Sequence, residues 1–183
     1  MQNKMSEELR KDFDQNLNER FEFRNIRQEE AEQAIAIEQI CFPPNEACAP
    51  ECMIKRVKAA PELFLVAVDR KTKKIAGFLN GLSTNECSFR DEFFMDTDLY
   101  DPAGKNIMLL GLDVLPKYRR QGLASELMHR YLCREQEKNR RMLILTCLES
   151  KVKMYEKMGF TDCGEANSDW GGEKWHEMTC VVS

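Results

Sequence analysis

The stretch from residue 112 to residue 125 places a basic turn between a buried strand and a helix. The residues that carry its chemistry are Arg119, Arg120, Gln121, Gly122, Leu123, Ala124 and Ser125. The first backbone N–H groups of a helix have no intrahelical acceptor, and the helix dipole adds partial positive charge. Small residues let an anion approach those groups, and the arginines add charge. The pattern predicts a pyrophosphate-binding turn, although taken alone a solvated helix start explains it equally well.

A second short motif follows one strand later, where the sequence is Tyr155-Glu156-Lys157-Met158-Gly159-Phe160. A phenol can donate a proton when it lies within hydrogen-bond reach of a reacting group. Taken alone, Tyr155 is better explained as a core aromatic on an amphipathic helix. The basic turn of the first motif matches neither the GxGxxG nor the GK[ST] pattern of phosphate-binding loops. Neither of the two motifs is therefore decisive by itself.

The two motifs together resemble the acetyl-CoA motif and the YxxxGF motif of GNAT N-acetyltransferases. The first corresponds to Arg119-x-x-Gly122-x-Ala124 and the second to Tyr155-x-x-x-Gly159-Phe160. The resemblance covers about Phe21 to Val181. Within that superfamily the chain looks most like the arylalkylamine (serotonin) N-acetyltransferases and their bacterial relatives. The stretches that support this are EQICFPPNEA at 38–47, PELF at 61–64 and CLES at 147–150.

This resemblance implies acetyl-CoA as co-substrate and a V-shaped split of the sheet beside the strand that holds Leu112. The backbone of Leu112, Asp113 and Val114 is then expected to pair with the pantetheine arm. The backbone N–H groups of residues 120–125 are expected to hold the pyrophosphate, with Arg119 beside them. Phe42 and the Pro43-Pro44 loop are expected to line the amine pocket, and Tyr155 to protonate the leaving thiolate as general acid.

The general base is where the sequence departs from the family pattern. The vertebrate arylalkylamine enzymes carry two histidines on the strand before the turn, and Met108 and Leu110 stand at the matching positions. These two residues are expected to line the acceptor site, but neither can accept a proton. Asp113 is near in sequence, yet strand alternation points it to the opposite face. The remaining candidates, acting through water, are Glu38, Glu46 and Glu149; proximity and orientation alone are the alternative.

Periodicity along the chain predicts the elements that position these residues. The order is one strand, two helices, three strands, a helix, a strand, a helix and two strands. A strand–helix–strand passage over 107–147 predicts a right-handed crossover. The expected fold is α/β (α+β), the GNAT fold, with a mixed sheet of about seven strands and helices on both faces. Residues 1–20 are expected to be an N-terminal extension and 21–183 the domain, with an irregular, functional or mobile insertion at 85–105.

Composition limits the partners. The chain has 183 residues and a formal net charge of −4, with a pI near 5.4. This charge balance does not predict a basic surface that binds nucleic acid or anionic lipid, and it favours cationic small molecules as partners. No apolar stretch is long enough to span a membrane, so a cytoplasmic location is expected. Eight cysteines without CxxC spacing and only two histidines predict reduced thiols and no metal site. A homodimer is left open.

The leading hypothesis is transfer of acetyl from acetyl-CoA to a primary amine by direct attack, with a small arylalkylamine or polyamine-like acceptor. One alternative is a protein N-terminal or lysine acetyltransferase of the same fold. Another is a catalytically silent CoA-binding sensor, which the missing histidines allow. A closed aromatic pocket favours a small amine and an open groove favours a protein. Trp170 and Trp175 are candidates for the walls of such a pocket, with a core position as the commoner alternative.

Overall fold

The computed structural model describes residues 11–12 and 14–182, which contain a seven-stranded sheet in the order β1-β2-β3-β4-β5-β7-β6. The strands are β1 (Phe21–Asn25), β2 (Phe64–Asp69), β3 (Ile75–Thr84), β4 (Asn106–Val114), β5 (Met142–Cys147), β6 (Thr161–Glu165) and β7 (His176–Val181). Only the β4–β5 pair is parallel, and the other neighbours in this described part of the sheet are antiparallel. The predicted mixed sheet and order of elements are confirmed.

Helices cover both faces of the sheet. They are α1 (residues 14–20), α2 (Ala31–Cys41), α3 (Pro50–Ala59), α4 (Leu123–Glu137) and α5 (Val152–Lys157). Alternate residues of β2 belong to two separate hydrophobic clusters: Leu65 lies in the cluster that α4 helps to form, whereas Val66 lies with α2 and α3. This is the period of two expected for a strand buried on both faces.

The parallel pairing of β4 and β5 stops part-way along the two strands. The paired residues are Asn106 with Met142, Ile107 with Leu143 and Met108 with Ile144. On its other side β4 carries a bulge at Leu110, because Gly81 of β3 pairs with Leu109 and Asn80 pairs with Gly111. A bulge bends a strand and increases its twist. Beyond Met108 the two strands therefore leave a gap in the sheet.

Two segments pack more closely than the sequence indicates. In the insertion at 85–105, Phe89 and Phe93 are buried, and two short 3₁₀ helices, Asp91–Phe94 and Thr97–Leu99, give it regular structure. In α1, Leu17 is only 2% exposed and lies in the main hydrophobic cluster. A single apolar residue among charged neighbours gives little periodic signal, which is why this packing was not predicted. No helix among the described residues is long and apolar enough to cross a membrane.

Candidate active site

A cleft of about 820 Å³ opens where β4 and β5 separate. Its walls come from the loop after α2, the ends of β4 and β5, the turn before α4, helix α5 and the loop before β7. Twelve of the predicted site residues line it: Phe42, Pro43, Leu110, Leu112, Val114, Arg119, Arg120, Gly122, Leu123, Ala124, Ser125 and Tyr155. The fold therefore brings together residues that lie more than a hundred positions apart in the sequence.

The remaining three predicted residues have their side chains outside the lining of the cleft. Met108 is fully buried where β4 still pairs with β5, so the gap begins just beyond it. Asp113 lies opposite Leu112, as strand alternation predicts, and next to Glu38. Relative to Met108 the prediction is wrong, because the bulge at Leu110 brings Asp113 to the same face of β4 as Met108. The side chain of Gln121 accepts a hydrogen bond from Arg20 and donates one to the Lys117 carbonyl. For Met108 the cause is the extent of strand pairing, which sequence does not reveal.

The turn before α4 presents its backbone donors to the cleft. Gly122 is the N-cap, with φ 83°, and it provides no side-chain cap. Glu126 N–H is bonded to the Gly122 carbonyl at 3.0 Å, so the N–H groups of residues 123–125 precede the first intrahelical acceptor. These donors and the positive end of the helix dipole suit a pyrophosphate. The residues present thus fit the diphosphate of acetyl-CoA.

The side chain of Arg119 fixes this turn to the strand before it. Its Nε donates to the Val114 carbonyl at 2.8 Å, so the end of β4 is tied to the helix start. Arg120 is exposed at the mouth of the cleft. Its φ of 58° lies in the left-handed region, which residues other than glycine rarely adopt. Both guanidinium groups raise the local positive charge at an anion-binding turn.

Tyr155 lies on the cleft wall formed by α5. Its ring packs edge-on against Phe160, with centroids 5.8 Å apart and an interplanar angle of 71°. Burial raises the pKa of the Tyr155 phenol well above its usual value, and the charges of Cys147 and Asp113 add to the effect. The phenol is therefore protonated at neutral pH and can donate a proton into the cleft.

The end of the cleft away from α4 has aromatic walls. Trp170 and Trp175 line it together with Phe94, which no sequence pattern had singled out. The rings of Phe94 and Trp170 lie 4.8 Å apart between centroids. Trp175 Nε1 donates to the Trp170 carbonyl at 2.8 Å, and this hydrogen bond holds the Trp175 ring next to residue 170. Aromatic rings held in this way favour an apolar or aromatic ligand group.

Two hydrogen bonds join the loops on either side of this aromatic end. Trp170 Nε1 donates to the Glu46 carbonyl at 2.9 Å, and Asn45 Nδ2 donates to the Gly171 carbonyl at 2.9 Å. Gly171 has φ 64°, and a Cβ there would lie 2.6 Å from the Asn45 carbonyl oxygen. Only glycine permits this approach. The loops after α2 and before β7 therefore close the cleft at this end.

Two of the three candidate bases lie in the cleft. Glu38 lines it and is only 4% exposed. Glu46 also lines it, and burial, followed by the charge of Glu173, raises its pKa. Glu149 is exposed and lies outside the lining. Over the part of the chain that the structure describes, no three His, Cys, Asp or Glu side chains are grouped as a metal site requires.

The sequence profile of the acetyltransferase (GNAT) family matches residues 20–160. The chain belongs to the GNAT acetyltransferase family. For this GNAT acetyltransferase, acetyl-CoA is the co-substrate and acyl transfer to nitrogen is the reaction. The fold class and enzyme class predicted from the two motifs are confirmed.

Solved structures of low sequence identity share the fold of this GNAT acetyltransferase. The loading GNATL domain of CurA from Lyngbya majuscula superposes with a TM-score of 0.77 at 14% identity, covering 88% of this chain and 98% of that one. The GphF GNAT-like decarboxylase in complex with isobutyryl-CoA gives 0.73 at 16%, covering 88% and 100%. Ard1 from Thermoplasma volcanium gives 0.69 at 20%, covering 89% and 98%. The comparison with curated protein sequences found no match.

Proposed function

We propose that this GNAT acetyltransferase acetylates a small primary amine that carries an aromatic or extended apolar group, as the arylalkylamine N-acetyltransferases do. The observation that carries the proposal is the closed aromatic end of the cleft, where the Trp170–Glu46 and Asn45–Gly171 hydrogen bonds join the two loops. A protein acceptor would need an open groove at this point. The net charge of −4 favours a cationic acceptor as well.

The acceptor must lose a proton before it can attack. An alkylamine with a pKa of about 10.4 is only about one part in a thousand neutral at pH 7, so a base in the cleft raises the reactive fraction. Glu38 is the candidate, because it is buried, lines the cleft and has its Oε1 fixed by the Cys48 N–H at 3.0 Å. The ammonium N–H bond breaks, and its electron pair stays on nitrogen as the nucleophile.

The second half of the reaction needs a proton donor. Acetyl-CoA supplies the acetyl group on a thioester, whose sulfur leaves as a thiolate that must be protonated. Tyr155 is the candidate general acid, because its phenol lies on the cleft wall and its pKa is raised by burial. The backbone N–H groups of residues 123–125 and the arginine side chains of the turn hold the diphosphate of the co-substrate.

Product detection by mass spectrometry tests the acceptor class. The protein is incubated with acetyl-CoA and, separately, phenethylamine, tryptamine, spermidine and peptides with free N-termini. We expect acetylated aryl- or alkylamine. Acetylated peptide alone would instead identify a protein acceptor, and CoA binding without any product would identify a silent sensor.

Replacement of the aromatic wall tests where the acceptor binds. Trp170→Ala removes a ring that packs on Phe94, so we expect the KM for the amine to rise about 10-fold, the equivalent of about 1.4 kcal/mol. The Kd for CoA is expected to stay unchanged. Met95→Ala is the matched control, because Met95 is an exposed apolar residue of the same region that lies outside the cleft. An unchanged KM in Trp170→Ala would contradict the proposed acceptor site.

A further inference from the structure

Beneath the acceptor end of the cleft lies a cluster of buried polar side chains. Glu38 of α2 and Asp113 of β4 are 4% and 0% exposed, and Arg56 of α3 and Asn80 of β3 are also buried. Arg56 Nη2 donates to the Phe94 carbonyl at 2.8 Å, and its Nη1 donates to Asn80 Oδ1 at 3.5 Å. Charged groups are buried at this depth only with partners. The two carboxyl groups of this cluster therefore need hydrogen-bond or charge partners inside the protein.

Three carboxyl oxygens of this cluster have no hydrogen-bond donor among residues 11–12 and 14–182. They are Oε2 of Glu38 and both oxygens of Asp113. An ionised carboxylate can only accept, so two such groups that face each other cannot satisfy one another. A single proton between them supplies the donor that both lack, and close carboxyl pairs hold such a proton because like charges resist joint ionisation.

Gly111 connects this pair of carboxyl groups to the cleft. It lies on β4 between Leu110 and Leu112 and lines the cleft. A Cβ built on Gly111 would lie 2.9 Å from Asp113 Oδ1 and 3.5 Å from Glu38 Oε2. The two carboxyl groups thus converge on the space that any other side chain would fill. Because Gly111 lines the cleft, its missing side chain leaves both carboxyl groups next to the lining.

The charges around the pair agree with one shared proton. The other titratable groups that face it are Arg56, Cys41, Cys48 and Tyr155. Burial, followed by the charge of Glu38, raises the pKa of Asp113 well above its usual value, and only Arg56 opposes this. Burial also raises the pKa of the Cys48 thiol to about 11, and the Cys41 and Tyr155 values rise for the same reason. Those three groups are neutral at pH 7, so one negative charge on the pair balances Arg56.

We propose that Glu38 and Asp113 share one proton at neutral pH and that Asp113 is the positioning residue that tunes Glu38 as proton acceptor. This inference rests on the proposed function and extends it. When the pair has released its shared proton, the ammonium of the acceptor transfers one to Glu38 Oε2: an N–H bond breaks, an O–H bond forms, and the nitrogen keeps the electron pair. The charge of the incoming ammonium replaces that of the departed proton, so the cluster remains balanced.

A measurement that needs no turnover tests the shared proton. The folded pKa of Asp113 lies above its unfolded value of about 3.9, so between those values the folded protein binds more protons and the unfolding free energy falls as pH rises. Asp113→Asn removes this contribution, so the slope of unfolding free energy against pH is expected to flatten from about pH 4 up to the raised folded pKa of Asp113. Glu149→Gln, an exposed carboxyl outside the cleft, is expected to keep the wild-type slope.

A wild-type slope in Asp113→Asn would overturn the shared proton, whatever the activity. Glu38→Gln provides a second test if Asp113→Asn does not fold, because it removes the like charge that, after burial, raises the pKa of Asp113. The burial of Asp113 remains in Glu38→Gln, so a slope that is reduced but not flat is expected, and an unchanged slope would overturn the proposal.

The pH dependence of kcat/KM tests the catalytic part. Activity is expected to rise with pH as the pair loses its shared proton, and Asp113→Asn is expected to move this acid limb to lower pH by about one unit or more. Glu38→Gln is expected to lower kcat/KM by about 100-fold or more without changing the Kd for CoA. A wild-type acid limb in Asp113→Asn would overturn the role of Asp113. A wild type that acetylates no amine would overturn the proposed function, while the unfolding slope would still decide whether the proton is shared.

Discussion

At the scale of single residues, Tyr155 is the side chain whose chemistry can be tested most directly. Tyr155→Phe keeps the ring packed on Phe160 and removes only the hydroxyl group. We expect kcat to fall about 100-fold, the lower end of the range for a general acid, and the Kd for CoA to stay unchanged. Steady-state kinetics with any accepted amine and calorimetric titration with CoA measure the two quantities.

Tyr100→Phe is the matched control for this prediction. Tyr100 is hydrogen-bonded to Glu62 and lies outside the cleft, so its hydroxyl group is not available to the reaction. Equal losses of kcat in the two variants would show that Tyr155 acts through the fold rather than as a proton donor. Because the pKa of Tyr155 is raised, deprotonation of the phenol is not expected to reduce the wild-type rate below about pH 9.

At the scale of elements, the start of α4 depends on a left-handed N-cap. Gly122 has φ 83°, a conformation that costs a residue with a Cβ about 1–2 kcal/mol. Gly122→Ala is expected to strain the turn and obstruct the N–H groups of residues 123–125, raising the Kd for CoA at least about 10-fold. Calorimetric titration with CoA measures this effect.

Gly164→Ala separates backbone strain from the effect on binding. Gly164 in β6 has φ 92° and lies outside the cleft, and no atom of the described residues is within 4 Å of a Cβ built on it. Gly164→Ala is therefore expected to lose about as much stability as Gly122→Ala and to bind CoA as the wild type does. A loss of CoA affinity common to both variants would argue against a specific role for the turn before α4.

At the scale of the whole molecule, residues 14–20 contribute to stability although the sequence marks them as an extension. Leu17 is buried in the main hydrophobic cluster, and Asn18 accepts a hydrogen bond from Arg130 at 2.7 Å. Leu17→Ala is expected to lower the free energy of unfolding by about 2–3 kcal/mol, as for other buried leucines. The exposed neighbour substitution Asn16→Ala is expected to change it by less than about 0.5 kcal/mol in the same urea titration. Equal effects would show that α1 adds nothing to the core.

The sequence by itself determined the elements and the two motifs, because both depend on short-range patterns. Apolar periodicity identified the order of strands and helices, and the glycine at position 122 marked the start of α4 at a basic turn. The motif that contains Tyr155 begins in α5 and ends at Phe160, immediately before β6. Residues within one or two turns of each other have a relative geometry that the backbone fixes, so their relative placement can be predicted from spacing alone.

The tertiary structure alone decided what lies around these motifs. The point at which β4 and β5 stop pairing placed Met108 in the core and Leu110 in the cleft. The packing of α2 on β4 brought Glu38 to Asp113, seventy-five positions later in the chain, across the space left by Gly111. Strand pairing and helix packing follow from the summed contacts of the whole core rather than from any local pattern. The elements could therefore be predicted from the sequence, whereas the approach of Glu38 to Asp113 and the closed end of the cleft could not.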